Sequence, residues 1–316
     1  MLWLLKRIAT SLVLIWLVAS IVFGAIRLVP GDPAELLLSQ GGVAPDPSAV
    51  AELHDQLGLD RPFLVQYAIN FRQVLSGDLG KSLQDDRPVT TEIVRRLPRT
   101  LELIAAAAVF AILVGIPGGL AAAVRRDTWL DRVGQIKASV VLSIPVFVTG
   151  TVLVLIFAQW LHWVPAGGYV PLARDPVKHL TLLAMPALTI GMGLAATVFR
   201  MTRASVLDVA QRDYVRTARA KGVSPRRVLR RHVLRNALMP VVTVLALNLG
   251  SLLGGTVLVE YVFNYPGLSG LLVDAVNARD YPTVEGVVLV ISVLFVALNL
   301  LVDLLYAALD PRVRHA

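Results

Sequence analysis

The residues with the greatest chemical potential lie between positions 212 and 240, and their chemistry is docking by charge and shape rather than bond making. Arg212, Arg216, Arg219 and Lys221 precede Gly222, and Arg226, Arg227, Arg230, Arg231 and Arg235 follow it. Asp213 is placed to cap a helix running to Lys221, and Gly222 to end it. Ser224-Pro225 then supplies the cap and first position of a second helix. Tyr214, Val215 and Ala218 give the first helix an apolar face, beside the basic reach of Arg212, Arg216 and Arg219. Such a segment either lies along a membrane surface or seats in a groove of another protein.

Bond-making chemistry has little to stand on. The chain has no cysteine, so thiolate nucleophiles, thiolate metal sites and disulfides are excluded. Its five histidines are scattered without metal-ligand spacing. Gly77-Asp78-Leu79-Gly80-Lys81-Ser82 ends like a phosphate loop but lacks the first glycine at the required offset. The expectation is a protein with no catalytic residue, cofactor site or metal site of its own, and therefore not an enzyme. The energy for any transport must come from another chain or from an ion gradient.

The elements that position the basic loop are apolar. Of 316 residues 56% are hydrophobic and 16% charged, well below the quarter or so charged residues of a soluble domain. The expected fold class is an all-α polytopic membrane protein with six transmembrane helices, at 8–29, 101–124, 138–161, 180–199, 237–259 and 284–307. The first span follows Lys6-Arg7 and is longer than a signal-peptide core, so it reads as uncleaved. Gly115-Ile116-Pro117-Gly118-Gly119 and Ile144-Pro145 mark kinks or close helix contacts within spans.

Lysine and arginine set the orientation. With both termini cytoplasmic, nineteen of the thirty Lys and Arg residues lie inside, eleven of them between Arg200 and Arg235. The net charge of +8 is thus explained by the bilayer and its anionic headgroups rather than by nucleic acid. The expected organisation is 1–29 as N-terminus and first span, 30–100 as a large extracytoplasmic loop, and 101–316 as a five-helix core containing the cytoplasmic loop 200–236. Within 30–100 three helices are expected, from Asp46-Pro47 to Gly58, from Pro62 to Leu75 and from Pro88 to Leu97. They form either a lid on the membrane domain or a docking surface for an extracytoplasmic partner. The deep polar positions are mostly neutral, among them Thr149, Thr189, Thr243, Asn248, Ser251 and Asn299. This argues against an ion-coupled transporter, which places ionisable groups near the bilayer centre. Asn248, Ser251 and Asn299 are the candidates for lining a pathway.

The loop resembles the conserved cytoplasmic loop of permease subunits in bacterial ATP-binding cassette importers. With Gly222 on the family glycine, Ala218, Gly222 and Leu234 match the general pattern, while Arg216, Thr217, His232 and Arg235 depart from it. Those departures are similar to the dipeptide/oligopeptide branch, which reads Tyr-x-Arg-Thr-Ala-Arg-Ala-Lys-Gly and then Arg-His-x-Leu-Arg-Asn-Ala-Leu-x-Pro. Leu28-Val29-Pro30-Gly31-Asp32-Pro33, Leu57-Gly58-Leu59-Asp60-Arg61-Pro62, Glu260-Tyr261-Val262-Phe263-Asn264-Tyr265-Pro266-Gly267 and the end from Asp303 to Arg312 carry the same resemblance. It implies a multi-pass protein of the bacterial inner membrane that forms half of a translocation pathway. It implies as partners a homologous second permease subunit, two cytoplasmic ATPases that bind ATP and Mg, and an extracytoplasmic solute-binding protein. The ATPase-coupling residues would be Tyr214, Arg216, Thr217, Ala218, Arg219, Lys221 and Gly222. The substrate implied is a di- or oligopeptide; nickel and glutathione permeases share the branch.

Overall fold

The computed structural model of the chain describes residues 2–28, 35, 46–57 and 60–309, apart from the side chains at 2–4, 52–53, 55–57, 251, 302–303 and 305–309. The motif stretches at 29–33, 58–59 and 310–312, and the side chains of Ser251 and Asp303, lie outside the described residues. Among those described the regular structure is helical, with no strand. In chain order the helices are α1 (Leu2–Arg27), α2 (Pro47–Leu57), α3 (Phe63–Leu75), α4 (Val89–Val124), α5 (Trp129–Ser143) and α6 (Val146–Leu153), the last continuing as a π-helix, Val154–Trp160. Then come α7 (Pro176–Ala210), α8 (Asp213–Ala220) and α9 (Pro225–Arg227), which continues as a second π-helix, Val228–Leu234. The last three are α10 (Arg235–Val262), α11 (Leu268–Asn277) and α12 (Tyr281–Leu309).

Among the described residues five helices are long and apolar enough to cross a membrane, or six if α5 with α6 counts as one. The third expected span, 138–161, falls on this bent pair. It is not one continuous rod: the chain bends by 103° between Ser143 and Val146. Ile144 is extended (φ −92°, ψ 128°) and Pro145 starts the next helix. Proline removes an amide donor and drives the residue before it out of the helical region, and this produces the break. Gly115-Ile116-Pro117-Gly118-Gly119 has a different effect. The helix runs through it, and through Pro98, for 36 residues. A Cβ on Gly115 would lie 2.8 Å from the Ala195 carbonyl oxygen, and one on Gly119 2.5 Å from that of Phe199. The glycines bring α4 and α7 backbone to backbone, as small residues four apart do in membrane helices. The expected outer helix 88–97 is the first part of this same α4 rather than a separate element.

The chain divides into two compact units, Met1–Arg96 with Leu271–Leu294, and Leu97–Gly270 with Phe295–Ala316. In the first, Phe23 is buried with its ring edge-on to Phe63 and Tyr67, at 5.5 and 5.4 Å. The Arg27 guanidinium lies 3.4 Å over the Phe23 ring and its Nε donates to Gln66 Oε1 at 2.9 Å. Asp280 gathers the turn at 82–83, accepting from Ser82 Oγ (2.6 Å) and Leu83 N (3.1 Å), and also takes Thr283 Oγ1 at 2.7 Å. In the second unit three apolar clusters follow one another along α4, α7 and α10. Leu103, Ile190, Val259, Phe263 and Tyr265 form one. Ala111, Leu194, Val198 and Val241 form the next. The third consists of Ala123, Val206, Val209, Val215, Ala218, Val228, Val233 and Ala237.

Candidate functional site

That third cluster is the floor of the basic loop. α8 starts with Arg212 as its cap residue and Asp213 as its first helical residue, with no side-chain cap. The cap thus lies one position earlier than expected, and Asp213 instead pairs with Arg216 at 3.7 Å. The stop is as expected. Gly222 has φ +77°, its amide donates to Arg219 O (3.0 Å), and the Val223 amide donates to Ala218 O (3.2 Å). This paired closure with a left-handed residue is a Schellman motif, which glycine fills without strain. Ser224 and Pro225 open the next helix as the cap and first residue.

The apolar face expected of Tyr214, Val215 and Ala218 is split. Val215 and Ala218 are buried against α4, α7 and the π-helical segment. Tyr214 is exposed and its hydroxyl accepts from Asn236 Nδ2 at 3.1 Å. Arg216, Thr217, Arg219 and Lys221 are exposed as well. The outward surface of α8 is therefore Tyr214 with a set of cations, and Ala218 belongs to the support beneath it. Beyond Gly222 the π-helix matters for register. Its wider turn lets Val228 and Val233, five apart, both face the core. It leaves Arg226, Arg227, Arg230, Arg231 and Arg235 outside.

A fork that sequence reasoning did not single out anchors the approach to this loop. Arg203, on α7, donates from Nε to Asp131 Oδ1 at 2.6 Å and from Nη2 to Oδ2 at 2.7 Å. Asp131 is buried, and it also accepts from Asp127 N (3.1 Å) and Gln135 Nε2 (3.0 Å). The available signal was a carboxylate at the start of α5 amid Arg125, Arg126, Arg132 and Lys137, in a stretch where only basic charge is called for.

Of the pathway candidates, Asn248 is half-buried on α10 and donates to Val244 O at 2.7 Å. Asn299, on α12, has its Oδ1 3.4 Å from where a Cβ on Gly250 would lie. The fold thus brings Asn299 beside the backbone two residues from Asn248, while the Ser251 side chain is outside the described residues.

The other end of the same unit holds a second polar assembly. Glu260 is buried and accepts from Thr100 Oγ1 (2.7 Å), Ser269 N (2.8 Å) and Gly270 N (3.1 Å). Its carboxylate sits on Gly267, with no room for a side chain there, and at the first turn of α11, where free amides and the helix dipole favour an anion. Nearby, the Tyr265 hydroxyl contacts Glu102 Oε2 at 3.3 Å. Burial, with Glu102 beside it, pushes this hydroxyl well above the usual phenol range, so it stays a donor.

Comparison with known proteins agrees with this architecture. Residues 115–315 match the family described as binding-protein-dependent transport system inner membrane component, and residues 1–105 match its N-terminal family. Over 313 residues, 99% of each chain, the sequence is 44% identical to the glutathione transport system permease protein GsiC of Salmonella typhi. It is 41% identical to that of Escherichia coli strain K12, with the same coverage. Among solved structures, the MetNI methionine ABC transporter in an inward-facing conformation matches with a TM-score of 0.58 at 18% identity, covering 69% of this chain and 96% of that one. An amino acid ABC transporter with histidines matches at 0.52 and 17%, covering 68% and 93%. These two likenesses speak to the fold alone.

Proposed function

Since the chain belongs to the family of inner-membrane components of binding-protein-dependent transport systems, we propose that it forms half of the pathway of an ATP-driven importer for glutathione or peptides of similar size. One observation carries the coupling part of this reading: α8 presents Tyr214 and exposed cations outward while Val215 and Ala218 lock it onto the core. A helix so held can pass a displacement to α4, α7 and α10 without melting, and this is what coupling two states requires. In this reading both termini are cytoplasmic and the segment 30–100 is extracytoplasmic. A homologous second permease completes the pathway, and a solute-binding protein delivers the cargo. Two ATPases receive α8 and supply ATP and Mg chemistry. The relatives named for glutathione transport support that tripeptide as the first substrate to try, within the peptide class that the loop motif implies.

The complete importer, reconstituted in liposomes with its binding protein, should take up glutathione only when ATP is present on the ATPase side. Uptake should persist when the proton gradient is collapsed. Transport by this chain alone, driven by an imposed ion gradient, would contradict the reading. Uptake of a dipeptide in preference to glutathione would move the substrate within the class.

The coupling surface makes a separate prediction. The Arg216 side chain is 76% exposed, so Arg216→Glu should leave the fold intact while reversing charge at the docking face. ATPase recovered with the permease should fall by about tenfold or more, in line with a reversed interfacial charge. Gly222→Val should act through the turn and Ala218→Trp through the floor, where overpacking costs about 1–3 kcal/mol. Wild-type recovery and wild-type uptake for Arg216→Glu and Gly222→Val, at equal permease expression, would mean that α8 is only a surface helix.

A further inference from the structure

We propose that Glu102, His179 and Tyr265 form a buried proton-binding site, in which His179 is held as an imidazolium between a carbonyl and a carboxylate and ties α7 to α4. The protonation state follows from the donors and acceptors around the ring. His179 is buried, with Nδ1 2.7 Å from Val170 O and Nε2 2.8 Å from Glu102 Oε1. A carbonyl can only accept, so Nδ1 carries a proton. The second nitrogen then faces a carboxyl oxygen at hydrogen-bond distance, and that contact also needs a proton. The pair therefore holds one proton more than a neutral imidazole beside a free carboxylate.

The surroundings place that proton on the imidazole. The Glu102 side chain is one-third exposed, and its other oxygen receives the Tyr265 hydroxyl, so solvent and a donor both favour the carboxylate. Charge-assisted hydrogen bonds on both nitrogens favour the cation. The remaining charged and titratable groups nearby are otherwise engaged. From α4, Arg99 lies 4.5 Å over the Tyr169 ring and donates to Pro266 O at 3.1 Å. Tyr169 meets His179 edge-on at 5.7 Å. Glu260 of α10 is taken up by Thr100 and the first turn of α11. On α7 itself Asp175 caps the helix by accepting from Lys178 N, and Lys178 is exposed.

The imidazolium joins the Val170 carbonyl, ahead of α7, to Glu102 on α4, so the two helices are held together at this end. Nothing in this requires a proton to cross the membrane, so the site tunes the structure rather than driving transport.

The test uses the full chain in lipid nanodiscs with His54, His162, His232 and His315 replaced, leaving His179 as the sole histidine, labelled with 15N. At about pH 7, where a free histidine is mostly neutral, both ring nitrogens should show attached protons. Glu102→Gln can offer an amide N–H to Nε2, so it should keep the Nδ1 proton and lose the one on Nε2. Glu102→Gln should also lower the unfolding temperature, because the charge-assisted bond to His179 is replaced by a neutral one. A bare Nε2 in the otherwise wild-type site overturns the proposal even if the variant fails to fold. So does an Nε2 proton that survives in Glu102→Gln.

Discussion

Glu260→Ala is expected to destabilise the chain severely. The carboxylate is buried and accepts from the Thr100 hydroxyl and from the amides of Ser269 and Gly270. Removing it strands these donors, and each unsatisfied buried donor costs about 1–3 kcal/mol. Partial relaxation leaves a net loss of about 4 kcal/mol, a large fraction of the total for most proteins. Thr100 Oγ1 is also the acceptor for Leu268 N at 2.8 Å, so the damage reaches the turn that sets α11. Glu260→Gln keeps an oxygen for the two amides but turns an NH2 toward Thr100, and it should cost only about 1–2 kcal/mol. Denaturant unfolding of the purified chain in detergent gives both numbers. If the alanine variant matches the wild type, or if Gln and Ala are equally damaging, the carboxylate is not the hub described.

Asp131→Ala is expected to follow closely. It removes the partner of Arg203 from a two-bond fork and also strips the acceptor from the Asp127 amide and Gln135. Breaking a buried pair on one side costs about 3–5 kcal/mol. The Arg203 side chain is 20% exposed and regains some water, which puts the loss near about 3 kcal/mol, or on the order of a hundredfold in the folding equilibrium. The double replacement Asp131→Leu with Arg203→Met should recover most of it, because the cost lies in the orphaned charge rather than in the absence of the pair. Equal losses in the single and the double variant would show that packing at Asp131, not charge, holds α5 to α7. In the importer reading the fork steadies the approach to α8, so the single variant should also lower uptake per ATP hydrolysed.

The basic loop was legible residue by residue because its signals are local. A glycine after a basic run, followed by Ser-Pro, dictates stop, turn and restart through backbone geometry alone, and the structure has these at Gly222, Ser224 and Pro225. The direction in which each side chain points was not local. Tyr214, Val215 and Ala218 are equivalent by composition, and only packing against Val206, Val209 and Val233 separates the exposed tyrosine from the buried pair. The π-helical turn at Val228–Leu234 left no sequence signature. It arises where two valines five apart are both drawn to the core.

The same division runs through the whole chain. Sequence by itself determined the class of protein and the number of apolar segments to within the bent pair, because hydrophobic length and charge placement are additive along the chain. It also marked Ile144-Pro145 and the glycines after Val114 alike as kinks or close helix contacts, since proline and glycine act through their own backbone. Tertiary structure alone decided which of those meant a bend and which a close approach. A missing amide acts on its own helix, whereas a missing Cβ matters only once another backbone comes to lie against it. It alone also decided which of the few acidic residues are partners. Asp131 finds Arg203 72 positions away, Glu102 finds His179 77 positions away, and Glu260 finds Thr100 at a distance of 160. Buried charge must be paired wherever the fold happens to supply a donor, and that choice is made in space, not along the chain.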